Sequence, residues 1–167
     1  MRWEELDQES CSLARALSVV GDRWTLLVLR DCFLRVRRFE EFERRLGITR
    51  HILADRLRKL CDADVLRKVP YNERPLREEY RLTEKGLALY PVIHALVDWG
   101  DAYMSGQAGA PIIRRHKTCG HVMKQVPTCS VCGEIISPLD IIVEVGPGGQ
   151  GNELPSSRDG QEGKASS

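Results

Sequence analysis

No stretch of this chain reaches the roughly 18 uninterrupted apolar residues of a membrane span, and the opening MRWEELDQES lacks the apolar core of a secretory leader. Both absences point to a cytoplasmic protein with no membrane partner. Net charge is almost absent too. The 25 Lys and Arg are met by 24 Asp and Glu, which leaves +1 with histidine neutral, so the whole-chain balance carries no signal for nucleic acid. No internal repeat is visible. No paired carboxylates, nucleophile beside a base or phosphate-cradling loop occurs in a setting that would give it catalytic meaning, which disfavours an enzyme. At 167 residues the chain can hold one domain with a real core and a small appendage, and is too short for two full-sized domains.

What is present is unevenly spread. From Arg35 to Arg81 there are fourteen Lys or Arg, twelve of them Arg, against nine Asp or Glu, a local excess of five positive charges. Arg clamps phosphates and guanine edges through its planar fork, although a charge run is by default a solvated face. The hydrophobic periodicity around this region is helical. CSLARALSVVGDRW places Leu13, Ala16, Leu17 and Val20 on one face, Gly21 ends that helix, and Asp22 caps the next one, RWTLLVLRDCFL, which is apolar nearly all round and hence central. RRFEEFERRLGITRHILADRLRKL then divides at its GIT into two amphipathic helices, with Thr49 as N-cap of the second and Leu53, Leu57 and Leu60 as its inward stripe. Strand-like patterns over Val65–Tyr71 and Glu78–Leu82 flank the polar tip NERP, as in a hairpin with Pro75 in its turn. Thr83 caps a last helix, in which Pro91 kinks the helix or resets its start. A hairpin after a helix-turn-helix is a wing.

The expected organisation is an N-terminal arm (1–10), a winged helix-turn-helix (11–104), a linker (105–111), a small module (112–145) ending in a strand over DIIVEV, and a Gly/Ser/Pro-rich disordered tail (146–167). The fold class is mainly α, α+β overall, with a zinc-ribbon-like β module at the C-terminal end. The N-terminal Cys11, GDRWTLLVLRD, RRFEEF, ILADRLRKL, and EYRLTEKG followed by Trp99-Gly100 resemble the HxlR-type winged helix-turn-helix transcription regulators over about residues 11–104. One departure is Ser12, where the family commonly has Pro. The resemblance implies a homodimer, built from the N- and C-terminal helices, that binds double-stranded DNA to repress or activate transcription.

With the leucine stripe inward, the helical period turns His51, Ala54, Asp55 and Arg58 outward. Thr49, Arg50, His51 and Arg58 are therefore the candidates for base and phosphate contact, and Arg74 and Arg77 on the wing for the backbone or minor groove. Asp55 is expected to orient a neighbouring Arg.

RHKTCGHVMKQVPTCSVCGE, residues 114–133, repeats one grammar: a ligand, two spacers, a Cys and a Gly. His116 with Cys119, and Cys129 with Cys132, would supply a closed tetrahedral Cys3His site for a structural zinc, with the intervening residues as a short hairpin. His121 competes as fourth ligand, and a redox pair or plain reduced cysteines are the other readings of C-x-x-C. In a reducing compartment the six cysteines are not expected to form a disulfide framework. Cys11 opens the first helix, where unpaired amides and the helix dipole favour a thiolate, with Arg15 one turn on. In some members of the resembling family the matching Cys senses oxidants or electrophiles, which leaves room for a small-molecule or oxidant effector; a small packed residue is the alternative. Cys32 and Cys61 read as buried filler. A protein-interaction module docking through the C-terminal ribbon is the remaining competitor to a DNA-binding regulator.

Overall fold

The structure is a computed structural model that describes residues 3–149. It separates into two compact units, Val19–Ile135 and a second drawn from Met1–Ser18 and Ile136–Ser167.

The larger unit is built around helix α2 (Arg23–Phe33), which packs against α3 (Phe39–Leu46), α4 (Arg50–Asp62) and α6 (Tyr90–Met104). Asp22 starts α2 as expected, its Oδ1 accepting from the amides of Trp24 and Thr25 at 2.9 and 3.2 Å. Such a cap contributes about 1 kcal/mol. Val28 and Leu29 of α2 meet Phe42 of α3 and Leu53, Leu57 and Leu60 of α4, all fully buried. Each of these side chains contributes roughly 1.5–3 kcal/mol by leaving water. Gly47 closes α3 with φ of 62°, a left-handed conformation that costs glycine nothing. Two residues later Thr49 caps α4, so the chain turns sharply between the helices.

Strand β1 (Leu66–Glu73) pairs antiparallel with β2 (Leu76–Leu82), from Leu66 opposite Leu82 to Glu73 opposite Leu76. The strands run further toward the tip than the sequence pattern indicates, leaving only Arg74 and Pro75 in the turn. An irregularity between Pro70 and Asn72 accommodates a residue with no amide proton to donate. The hairpin is tied to the helices by Tyr80 N donating to Arg37 O at 2.8 Å. Thr83 caps only the short α5 (Glu84–Leu87), and Pro91 lies in the first turn of α6, so the proline resets the helix rather than kinking it. At Gly86 a Cβ would stand 2.2 Å from the Val65 carbonyl oxygen, so that only glycine lets α5 approach the start of the wing.

After α6 a single 3-10 turn, Gly106–Ala108, occupies the expected linker. From residue 105 to residue 149 no residue is buried. In the smaller unit the N-terminal arm contains a 3-10 turn, Trp3–Gln8, with Leu6 buried, ahead of the start of α1 (Ser12–Val20). DIIVEV is not a strand. A 3-10 turn, Pro138–Asp140, with a Ser137 capping box uses its first residue, and among the described residues no strand pairs with the rest, whose Ile142 is 88% exposed. A β-strand needs a neighbour to satisfy its amides, and the local pattern alone does not provide one. Of the expected tail, residues 146–149 carry one turn and residues 150–167 lie outside the described residues. No helix among the described residues is long and apolar enough to cross a membrane.

Candidate nucleic-acid interface and thiol loops

The first turn of α4 is exposed. Thr49 is occupied as its cap, the hydroxyl oxygen accepting from Ile52 N at 3.4 Å. Arg50 leans back on α3, 2.8 Å from Glu43 and 4.8 Å over the Phe39 ring, yet its side chain stays 65% exposed. His51 is exposed, and no side-chain hydrogen bond engages it among the described residues. Further along, Arg58 lies between Asp55 at 2.7 Å and Asp62 at 3.4 Å. The expected orienting role of Asp55 is thus visible. Burial works against its charge, but hydrogen bonds from Lys59 and Arg58 hold its carboxyl below the usual carboxylate range. Arg56 bridges Asp55 at 3.4 Å and Asp22 at 3.1 Å, so that it ties α4 to the start of α2.

Arg74 and Arg77 are exposed at the wing tip. Sequence reasoning missed their company. Arg38 covers the Tyr71 ring at 4.4 Å, and a groove between the start of α3 and the wing is lined by Arg38, Arg44, Tyr71 and Arg77 together with Glu40, Glu41 and Glu78. Its only trace in the sequence is the density of Arg around Phe39. A second unforeseen feature is Asp31, fully buried on α2 and held by Arg30 at 2.7 Å and Arg45 of α3 at 3.0 Å. It ties α2 to α3, the first helix of the helix-turn-helix.

The segment after α6 holds two copies of one loop. His116 N donates to His121 O at 2.9 Å and Gly120 N to His116 O at 2.7 Å. In the second copy, Cys129 N donates to Glu134 O at 2.8 Å and Gly133 N to Cys129 O at 2.9 Å. Gly120 and Gly133 take φ of 73° and 76°, and a β-bridge closes each loop, Arg115 with Val122 and Thr128 with Ile135. Inside the loops His116 Nδ1 is 3.3 Å from Cys119 Sγ. Hydrogen bonds from the amides of Cys132 and Val131, and from the Cys132 thiol, hold the Cys129 thiol below its ordinary value. The expected hairpin between the loops is absent: the bridges fall within each loop, where the tight turn puts the strands in reach. His116–Cys119 and Cys129–Cys132 are each brought together, and the His121 side chain is exposed. Among the described residues no three His, Cys, Asp or Glu side chains are gathered closely enough to hold a metal ion.

Of the other thiols Cys32 is buried as expected, Cys61 is only partly buried, and Cys11 is exposed. Burial pushes the Cys32 thiol up to about 12, and the neighbouring Asp31 adds to it. Burial also raises Cys61. Cys11 is exposed, its carbonyl accepting from Arg15 N, while the Arg15 guanidinium donates to Ser12 Oγ at 3.2 Å. Beside α6 a cavity of about 540 Å³ is lined by Phe33, Tyr90, His94, Arg114 and Met123 among others.

Two helices joined by a tight turn, the second with an exposed basic N-terminus, followed by an Arg-tipped hairpin, define a winged helix-turn-helix DNA-binding protein. The chain belongs to the HxlR-like helix-turn-helix family, whose pattern matches residues 19–108, and is a transcription regulator of that type. It is 46% identical over 140 residues to an uncharacterised HTH-type transcriptional regulator of Mycobacterium tuberculosis, Rv3095, covering 84% of this chain and 89% of that one. The crystal structure of PA1607, a candidate transcription factor, superposes with a TM-score of 0.75 at 36% identity, covering 83% of this chain and 96% of that one. The reduced form of the redox regulator HypR matches at TM-score 0.51 and 29% identity, over 55% of this chain and 92% of its own. A match of 140 residues necessarily reaches past the family domain into the segment with the two loops.

Proposed function

We propose that the protein works in the cytoplasm as a homodimer that reads operator DNA with α4. The observation that carries this reading is the exposed first turn of α4, with Arg50 and His51 projecting beyond the capping Thr49. Arg50 has the reach and fork to hold a guanine edge, and His51 can donate to a base or a phosphate. Arg58 meets DNA with its charge already answered by Asp55 and Asp62, and is assigned a phosphate contact. Arg74 and Arg77, joined by Arg38 and Arg44, follow the backbone beside the wing. The dimer rests on α6, where Val92, Leu96, Trp99 and Tyr103 recur at helical spacing and are 48%, 51%, 57% and 77% exposed. Leu13 and Leu17 of α1 are likewise exposed. Apolar stripes of this kind are uncovered only until a partner arrives, and a second copy offers the same stripe. Two recognition helices would then stand about 34 Å apart, one turn of DNA. A salt-titrated binding assay tests the reading: affinity should fall steeply with salt for an inverted repeat, and light scattering should report a dimer. A monomer that binds DNA tightly would refute the dimer, and binding indifferent to salt would refute the interface.

A second reading adds an input. Cys11 is exposed at the start of α1, whereas Cys32 is buried and Cys61 partly buried, and burial raises both of those thiols. HypR, to which the chain is similar, is a redox regulator. Cys11 is thus assigned as the sensor thiol for an oxidant or electrophilic effector. Competitive alkylation should label Cys11 ahead of Cys32 and Cys61, and DNA affinity should change on its modification; unchanged affinity would end the assignment.

A further inference from the structure

The two loops after α6 differ in sequence at every position except the Cys and the Gly, HKTCG against CSVCG, yet repeat the same backbone hydrogen bonds, the same left-handed glycine and the same closing bridge. No core explains that likeness, because no residue from 105 to 149 is buried. What the loops share is the result of their shape: a first donor, His116 or Cys129, turned toward a Cys three residues on. A segment without apolar burial stays folded only through some other cross-link, and a structural metal is one that four such donors can make. Three thiols and one imidazole are the donor set that selects zinc over the harder divalent cations.

We propose that the chain binds one zinc ion through His116, Cys119, Cys129 and Cys132, the first loop supplying two ligands and the second loop two. The first loop is the fixed half. Arg114, at its base, pairs with Asp98 and lies 3.6 Å from Asp101, and Gln125 N donates to Asp98 Oδ2 at 2.8 Å, which holds both of its flanks to α6. The second loop, Cys129–Gly133, follows a largely exposed connection that forms no strand. The two pairs are not gathered in this structure, and because no residue of the connection is buried, moving the second loop onto the ion would leave the core untouched. Four protein ligands leave no position for a reacting water, so the ion fastens the second loop to the first, and through Asp98 to α6, without doing chemistry.

The test uses the full chain, purified without chelator. Metal analysis should find one zinc per chain in the wild type and in His121→Ala, and little in Cys129→Ser or Cys132→Ser; His116→Ala should bind it at least tenfold more weakly. Replacement by cobalt should give the intense visible absorption of a tetrahedral thiolate site. Far-UV circular dichroism confirms that each variant keeps its helices, so that loss of zinc is not loss of fold. A wild type that takes up neither zinc nor cobalt overturns the proposal, as does a Cys129–Cys132 disulfide in protein purified under reducing conditions. Stoichiometric zinc in Cys129→Ser, or two ions per chain, would also overturn it. Loss of zinc in His121→Ala with retention in His116→Ala would overturn the ligand set.

Discussion

Replacing Arg50 by Ala removes one fork from the exposed turn of α4, and its effect can be estimated from what Arg50 does in the free protein. Its contact with Glu43, at 2.8 Å, joins side chains that are 65% and 30% exposed. Such a pair is worth less than about 1 kcal/mol in water, so the guanidinium is cheaply released to DNA. A bidentate bond to a guanine edge contributes about 1–3 kcal/mol of discrimination. Arg50→Ala should therefore weaken binding to a selected operator roughly 5- to 150-fold and flatten the preference at one base position. Glu43→Gln should do the opposite. It frees Arg50 and removes a carboxylate from the approaching phosphates, tightening binding by up to about fivefold, an effect that should shrink in the Arg50→Ala background. Arg77→Ala, at the wing, should weaken all sequences alike and lower the salt slope by about 1. Fluorescence anisotropy with a duplex selected from random sequence, repeated across salt concentrations, measures all three. Equal operator affinity of Arg50→Ala and wild type at physiological salt would refute the assignment of α4 as the reading helix by this residue.

Gly86→Ala drives a methyl to 2.2 Å from the Val65 carbonyl oxygen, a backbone atom that also accepts from Thr83 N. A loss of about 1–3 kcal/mol is expected, or roughly 2–12 °C in the thermal midpoint; an unchanged midpoint would contradict the close approach. Asp31→Asn leaves two guanidiniums facing a half-donor. A fully buried ion pair costs about 3–5 kcal/mol to break, but Arg30 and Arg45 are 39% and 41% exposed and can rehydrate, so about 2–3 kcal/mol by urea titration is the expectation. Burial, then the charge of Arg114, lowers the His94 imidazole below its ordinary value, against the pull of Asp98. The unfolded chain therefore takes up the proton first. The stabilisation is present above about pH 6.5, the unfolded value, and is lost as pH falls through the lower folded one. His94→Phe, which keeps a ring against Tyr90, should remove that loss; an identical pH profile in the variant would refute it.

Much of this fold is legible because its signals are local. Asp22, Thr49 and Thr83 each cap within three residues, and the Leu53, Leu57 and Leu60 stripe needs only the helical period. The same locality made each loop readable, since His116 and Cys119, or Cys129 and Cys132, meet across one turn. The larger failures are at a distance. DIIVEV has the right residues for a strand and no partner. The Asp31 bridge joins α2 to α3, and nothing in GDRWTLLVLRD distinguishes a buried aspartate from a solvated one. The Arg38–Tyr71 contact joins α3's start to the wing across more than thirty residues of chain. The four proposed zinc ligands are local in pairs, and no periodicity governs the connection, residues 121–128, that would have to bring the pairs together.

Helix α6 draws these parts together through its own period. Ile93 faces the core and is 4% exposed, while Val92, Leu96, Trp99 and Tyr103 leave the core and face outward. Asp98 and Asp101, between those stripes, hold Arg114. Core, proposed dimer surface and C-terminal module thus occupy three sides of one fifteen-residue rod. A rigid helix transmits a tilt more readily than it absorbs one, because bending it would break its own hydrogen bonds. In the dimer proposed above, whatever fixes the module against Asp98 would also constrain the angle at which α6 meets a second copy. In that dimer the angle would set the separation of the two α4 helices, and a major groove accepts such a pair only near one helical turn. A cross-link in a segment that never touches the reading helix can in this way govern whether the pair of reading helices fits an operator.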